Sequence, residues 1–204
     1  RSSAASDVYK RQDFDNKASV KIRAYDVLAD GVTNRDSLFH TPTFSNQLGG
    51  IIDSRVMVLR EFCDKERLLR FHSDYRSNKI RELIKDPSSA VLGYDPNLKI
   101  QIRLAGETTV HHQDNITKAA WEESQHISKK CYSVKDGSSK KVKNPSDYDF
   151  ELKGLDVEEG YANFAVLKFN YCSMEFLYLQ RSGHRRCKFE WSKNGVEKSF
   201  WLVP

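Results

Sequence analysis

Hydrophobic and polar residues alternate with a period of two along much of this chain, the mark of half-buried strands. Leu98, Ile100, Ile102 and Leu104 alternate with Lys99, Gln101 and Arg103 and predict a strand over residues 98–110. One face is core; the other, with Gln101 and Arg103, is open to solvent or to a ligand. Residues 55–62 read the same way, with Val56, Val58, Arg60 and Phe62 on one face and Arg55, Met57, Leu59 and Glu61 on the other. A polar turn, Asp64 to Arg67, joins them to a second strand over 69–72, so the pair predicts a hairpin. Residues 39–44 form a short strand with Pro42 in it, which marks an edge or irregular strand. Gly49-Gly50 is a turn and residues 90–94 are a short apolar strand. Residues 163–180 predict a strand region with a bulge near Tyr171. Residues 184–191 and 197–202 close the chain as a hairpin through Asn194-Gly195, the strongest turn signal present.

Three stretches carry helical spacing instead. Residues 17–32 place Val20, Tyr25, Val27 and Leu28 on one side, with Gly31 as a stop. Residues 80–85 form a short helix ended by Asp86-Pro87. Residues 116–132 form a helix capped by Asp114 or Asn115, with Ala119, Ala120, Trp121 and Ile127 as its apolar stripe. Residues 134–148 are a polar loop with Lys135, Lys140, Lys141 and Lys143, long enough to be functional or mobile. Six to eight short strands with two or three helices and no regular βαβ alternation predict a mainly β, α+β fold: an antiparallel barrel with peripheral helices.

Composition narrows the function classes. The 204 residues suit one domain, and no run approaches the ~18 apolar residues of a membrane span. The expectation is a cytoplasmic protein with no membrane partner. Residues 1–12 resemble a translated sequencing-library adapter, so the expected domain is 13–204 with its native N-terminus missing. Arg1, Lys10 and Arg11 against Asp7 contribute +2 of the formal net charge of +5, and the +3 that remains is ordinary. The basic residues are interleaved with acids, and no nucleic-acid partner is expected. Cys63, Cys131, Cys172 and Cys187 form no CxxC pair and have no histidine at zinc spacing. No metal is expected, and the thiols are expected reduced. Asn115-Ile-Thr117 fits a glycosylation sequon by chance.

The chemistry gathers at Ser73-Asp74-Tyr75-Arg76-Ser77-Asn78-Lys79, a strand-to-helix junction. Ser73, Asp74 and Ser77 are candidate N-caps, and free amides there would face an anion. Arg76 and Lys79 add two cations, and Arg55 can lie across the hairpin from them. Hydroxyls, amides and cations at one turn suit a phosphate monoester. The same residues also read as a capped surface helix with ordinary charges.

Arg55-x-x-x-Leu-Arg60 followed by Phe71-His-Ser-Asp-x-Arg-Ser-x-Lys79 resembles the core motif of the pyridoxamine 5′-phosphate oxidase-like family, the FMN-binding split barrels. Lys99-Ile-Gln101-Ile-Arg103-Leu-Ala-Gly106 resembles the family's glutamine strand. Glu175-Phe-Leu, Gly183-His-Arg-Arg-Cys-Lys-Phe189 and Trp201-Leu-Val-Pro204 resemble its end, so the likeness runs over residues 17–204. The resemblance implies an antiparallel split β-barrel that binds FMN as a homodimer, with both subunits contributing to each site. It implies FMN phosphate contacts from Arg55, Arg76, Ser77 and Lys79. It implies flavin-edge contacts from Val56, Met57, Val58, Leu59, His72 and Ser73, and ring or ribityl contact from Gln101. Arg60 takes the place of a family lysine near cofactor and substrate. Lys188 takes that of a cofactor-binding arginine, without the fork geometry. Lys129 or Lys130, with His184 and Arg186, are the implied substrate contacts; Lys129 and Lys130 also read as plain complements to a helix C-terminus.

Three departures bear on activity. The family oxidases carry Arg-x-His near the end, where this chain reads His184-Arg185-Arg186. Their Gln-Ser pair after the substrate helix is not found in residues 131–148, and their flavin-binding tryptophan is replaced by Leu177 or Tyr178. The implied function is an FMN-dependent oxidoreductase passing a hydride from a small substrate, such as a phosphorylated B6 vitamer, to the flavin. Open beside it stands an FMN protein of the same fold with another activity or none. A third reading is a binding module without flavin. FMN chemistry needs no catalytic triad, and no catalytic residue is assigned.

Overall fold

The computed structural model describes residues 14–138, 140–144, 146 and 157–204. The adapter-like residues 1–12 lie outside the described residues, as does part of the 134–148 loop. Nine strands among the described residues form one antiparallel sheet. They are β1 (Thr43–Leu48), β2 (Ile51–Val56), β3 (Leu59–Cys63), β4 (Leu68–Asp74), β5 (Ser88–Asp95), β6 (Ile100–His112), β7 (Phe164–Tyr178), β8 (Arg185–Trp191) and β9 (Glu197–Leu202). The helices are α1 (Lys17–Thr33), α2 (Asn78–Lys85), α3 (Asn115–Glu123) and α4 (His126–Lys129).

The hydrogen-bonded order runs β2-β1-β5-β6-β7-β4-β3, with β8 branching from β7 and carrying β9. The fifteen-residue β7 makes the branch possible. Its first half pairs with β4 from Asp74↔Phe164 to Leu68↔Asn170. Its second half pairs with β8 from Ser173↔Glu190 to Tyr178↔Arg185. The register against β6 slips between Ala105↔Ser173 and Gly106↔Tyr171, so Cys172 is the extra residue of a bulge. Here the backbones close up: a Cβ on Gly106 would lie 2.1 Å from the Asn170 carbonyl oxygen. The bulge near Tyr171 is where the alternation breaks in the sequence.

The strand expected over residues 55–62 is two strands. β2 pairs with β1 and β3 pairs with β4, at opposite ends of the path. Between them the Met57 N–H donates to the Pro42 carbonyl at 3.1 Å and the Leu59 N–H to the His40 carbonyl at 2.8 Å. The side chains keep alternating, with Met57 and Leu59 buried and Val56 exposed. Periodicity is blind to a change of partner that leaves the faces in phase. The sheet is therefore open between β2 and β3, as in a split barrel.

Other expectations shift for local reasons. β1 begins after Pro42 and lies inside the sheet, between β2 and β5, rather than at an edge. Gly31 does not stop α1; it lies within it, where a Cβ would meet the Phe39 carbonyl oxygen at 2.6 Å. The stop is Asn34, whose N–H reaches back to Asp30. The helix expected over 116–132 breaks at Ser124, which is extended and whose hydroxyl donates to the Ala120 carbonyl at 2.7 Å. α3, α4 and a 3-10 turn at Lys130–Tyr132 replace it, and Ile127 is left exposed. The Asp114 cap of α3 is a full capping box with Thr117.

The core lies between the sheet and α1. Phe44 meets Phe71 and Phe169 edge-on at 5.5 and 6.3 Å, and Ile100, Ile102 and Leu104 are buried beside them with Val20, Val27 and Leu28 of α1. Each such side chain contributes ~1.5–3 kcal/mol by leaving water. A second cluster, Ala120, Trp121, Phe164 and Val166, seats α3 on the start of β7.

Candidate functional site

The open seam between β2 and β3 is the floor of a cleft of about 570 Å³. That size suits a nucleotide-sized ligand. Arg55, Val56, Met57, Val58 and Arg60 line it from the seam, His72, Ser73 and Asp74 from the end of β4, and Lys79 from the first turn of α2. The far wall is the segment after α4, from Cys131 and Tyr132 through Val134, Asp136, Gly137, Ser138, Lys140 and Val142.

Lys79 and Arg55 set the electrostatics. Lys79 Nζ donates to Ser73 Oγ at 2.9 Å and to Ser77 Oγ at 3.3 Å. Burial, then the nearby Arg55 charge, lowers its pKa from the ordinary lysine value. Arg55 donates to Asn46 and Asp53. Asn46, buried, donates in turn to Glu82 of α2 at 2.8 Å. Lys79, held by two hydroxyls, and Arg55, held by the Asn46 amide and the exposed Asp53 carboxylate, lie together with the α2 N-terminus beside them and favour an anion.

The inner wall carries two polar atoms without a partner among the described residues, Arg60 Nε and His72 Nε2. Burial, with Arg70 and Arg60 nearby, pushes the His72 pKa down to about 3, so the ring is neutral at physiological pH. A neutral imidazole offers one donor and one acceptor. Buried polar atoms left unpaired cost ~1–3 kcal/mol each, which a ligand's polar edge can offset. Burial also raises the pKa of the Tyr132 hydroxyl well above the phenol range.

Arg60 and His72 also line a second, polar cavity of about 300 Å³. Arg35, His40, Arg70, Gln125 and Ser128 share it. Arg70 is paired with Glu61 at 2.9 Å and Glu123 at 3.2 Å, and Arg35 donates to Gln125 at 3.2 Å.

Of the residues singled out in the sequence, the cleft thus brings together Arg55, Val56, Met57, Val58, Arg60, His72, Ser73 and Lys79. Ser77 is buried behind Lys79, and the Leu59 side chain belongs to the core. Arg76 turns away to Asp74 and to the Val134 and Lys135 carbonyls. Gln101 and Lys188 lie on the outer face of β6-β7-β8. There Lys188 pairs with Glu190 at 2.7 Å and Arg186 with Glu175 at 2.9 Å. His184 accepts from the Gln180 N–H at 3.2 Å in a turn. Lys129 pairs with Glu158 at 3.2 Å and lies 4.9 Å over the Trp121 ring. Sequence reading missed the far wall of the cleft, Arg35 and Arg70 of the second cavity, and the Asn46–Glu82 support. The lysine-rich loop was the one signal pointing at that wall.

Residues 31–112 match the family model described as pyridoxamine 5′-phosphate oxidase, FMN-binding domain. A pyridoxamine 5′-phosphate oxidase-related, FMN-binding protein from Nostoc punctiforme has a similar structure, with a TM-score of 0.74 and 20% identity over 90% of this chain and 97% of that one. PhzG from Burkholderia lata, solved with tetrahydrophenazine-1-carboxylic acid, follows at 0.68 and 18%, over 94% and 96%. A Clostridium acetobutylicum protein related to general stress protein 26, of the pyridoxinephosphate oxidase family, gives 0.52 and 10%, over 92% and 96%. No curated protein sequence matches the chain. The family resemblance and the split-barrel fold are thereby borne out.

Proposed function

We propose that this pyridoxamine 5′-phosphate oxidase-like split barrel is a flavoprotein oxidoreductase that holds FMN in the β2–β3 seam. The observation that carries the reading is the Lys79–Ser73–Arg55 cluster, two cations and a hydroxyl at one end of a cleft of about 570 Å³. Lys79, Arg55 and Ser73 would hold the phosphate. The unpartnered Arg60 Nε and His72 Nε2 would meet the polar edge of the flavin ring. Bound FMN would supply a two-electron hydride acceptor.

Arg60 and His72 border the second cavity as well, so a substrate seated there would lie beside the cofactor. Arg35 gives that cavity a cation held by the neutral Gln125, while Arg70 there is paired with Glu61 and Glu123; Arg35 suits a small anionic substrate such as a phosphorylated B6 vitamer. The chain's role is to orient that substrate and keep His72 uncharged beside the flavin.

The outer face of β6-β7-β8 is where a second copy would dock. Leu92 and Tyr94 of β5 are more than 40% exposed there, next to the Arg103–Glu175 pair and Lys188. In a homodimer, Gln101 and Lys188 of one subunit would complete the site of the other. Among the described residues no helix is long and apolar enough to cross a membrane; cytoplasmic residence is part of the proposal.

One observation favours a second reading, an FMN protein of other or no oxidase activity. Lys129 and Arg186, expected at the substrate, are engaged with Glu158 and Glu175 within the chain. Titration with FMN, followed by a hydrogen peroxide assay with pyridoxine phosphate, tests both. FMN binding with peroxide supports the oxidase, and FMN binding without it supports the second reading. No FMN binding would overturn the proposal.

A further inference from the structure

Arg76 lies three residues before Lys79 but serves a different group. Its Nε donates to Asp74 Oδ1 at 3.0 Å and its Nη2 to Asp74 Oδ2 at 2.7 Å, and Asp74 Oδ1 also accepts the Arg76 backbone N–H at 2.8 Å. This bond to Asp74 raises the Arg76 pKa further above its ordinary value. Nη1 reaches the other way and donates to the Val134 carbonyl at 3.0 Å and the Lys135 carbonyl at 3.3 Å. All three guanidinium nitrogens are thus committed, two of them to a bidentate carboxylate.

The segment so held packs closely. A Cβ on Gly137 would lie 2.6 Å from Arg76 Cβ, so the backbone there rests directly on the arginine. From this contact the chain continues along the cleft wall, which includes Ser138, Lys140 and Val142. Lys140 pairs with Asp136 four residues earlier. A phosphate arriving on Arg55 and Lys79 would bring a further negative group, beside Asp74 and Asp136, into the cleft that Lys140 lines.

We propose that residues 134–138 and 140–142 are a strap that closes the cofactor cleft, latched by Arg76, with Lys140 as a third cation for the FMN phosphate. The proposal rests on the flavin reading above. It makes Arg76 a positioning residue and gives the lysine-rich loop a task.

The test compares FMN with riboflavin, which lacks the phosphate. In the full chain, Lys140→Ala should weaken FMN about tenfold, one charge-assisted contact, and leave riboflavin affinity unchanged. FMN should slow tryptic cleavage after Lys140, Lys141 and Lys143 in the wild type. In Arg76→Ala, FMN should still bind through Arg55 and Lys79, yet the protection should vanish. Should Arg76→Ala fail to fold, Gly137→Ala displaces the strap by the same contact and should also lose protection. Wild-type FMN binding without protection, or equal loss of FMN and riboflavin in Lys140→Ala, would overturn the strap and leave the flavin reading intact. A wild type that binds no FMN would overturn both.

Discussion

Lys79 Nζ and Ser73 Oγ are joined by a 2.9 Å hydrogen bond across the junction of β4 and α2. The bond fixes a half-buried ammonium at the β2–β3 seam, where its charge is partly dehydrated and lacks a carboxylate within salt-bridge distance among the described residues. Burial and Arg55 lower its pKa for that reason. A group in this state gains most from an anion.

Lys79→Ala should therefore weaken FMN by about 10–100-fold, the worth of one charge-assisted contact of ~1.5–3 kcal/mol. The wild-type affinity should also depend on pH. The anion needs the charged amine, whose pKa in the free protein lies below 10.5. Binding should take up a proton at alkaline pH, so affinity should fall as pH rises, beginning below 10.5. Fluorescence titrations across an alkaline series check both; a flat profile would show that Lys79 does not meet the ligand.

His72 makes stability sensitive to acid. Its pKa falls from 6.5 to about 3 on folding, so the unfolded chain binds a proton that the folded chain refuses. The contribution is complete above pH 6.5 and is lost between 6.5 and 3. Within that window the group alone costs about 1.4 kcal/mol per pH unit. In His72→Phe, denaturant midpoints should fall less steeply between pH 6.5 and 4 than in the wild type. Parallel slopes would show that the ring is protonated in the folded protein.

Gly106→Ala tests the bulge. A methyl there meets the Asn170 carbonyl oxygen, which belongs to β7 and has no room to retreat. The expected loss is ~1–3 kcal/mol, read as a thermal midpoint lower by about 2–4 °C per kcal/mol. An unchanged midpoint would mean that β6 and β7 are further apart at this point.

The homodimer proposal expects light scattering to give twice the 23.6 kDa chain mass. Leu92→Asp on the outer face should shift the mass to that of one chain and weaken FMN, because Gln101 and Lys188 would no longer reach the neighbouring site. A wild-type monomer that binds FMN tightly would contradict it.

Much of the fold was legible because β6, β7 and the β8–β9 hairpin carry clean alternation and an Asn-Gly turn. The seam was not. Arg55 to Phe62 keeps its in-out pattern while its hydrogen bonds pass from β1 to residues 40 and 42 and then to β4. Alternation reports faces, not partners. The helix break at Ser124 escaped for a similar reason: a serine hydroxyl returning to Ala120 leaves no trace in the apolar spacing. At the site, Arg55, Ser73 and Lys79 were readable as cations and hydroxyls around a turn. The commitment of Arg76 to Asp74 was not, since an aspartate two residues away reads equally well as a helix cap. The far wall was signalled only by the lysines of its loop, because its place depends on where an irregular segment settles.

The central claim is that the seam between β2 and β3 holds FMN through Arg55 and Lys79. The most direct measurement is the absorption spectrum of the purified protein after incubation with FMN and desalting, with mass identification of what acid releases, beside the Arg55→Ala, Lys79→Ala double variant. The expected result is a flavin spectrum with released FMN near one per chain in the wild type, and a colourless but folded double variant. Stoichiometric FMN retained by the double variant, or a wild type that takes up none, would contradict it.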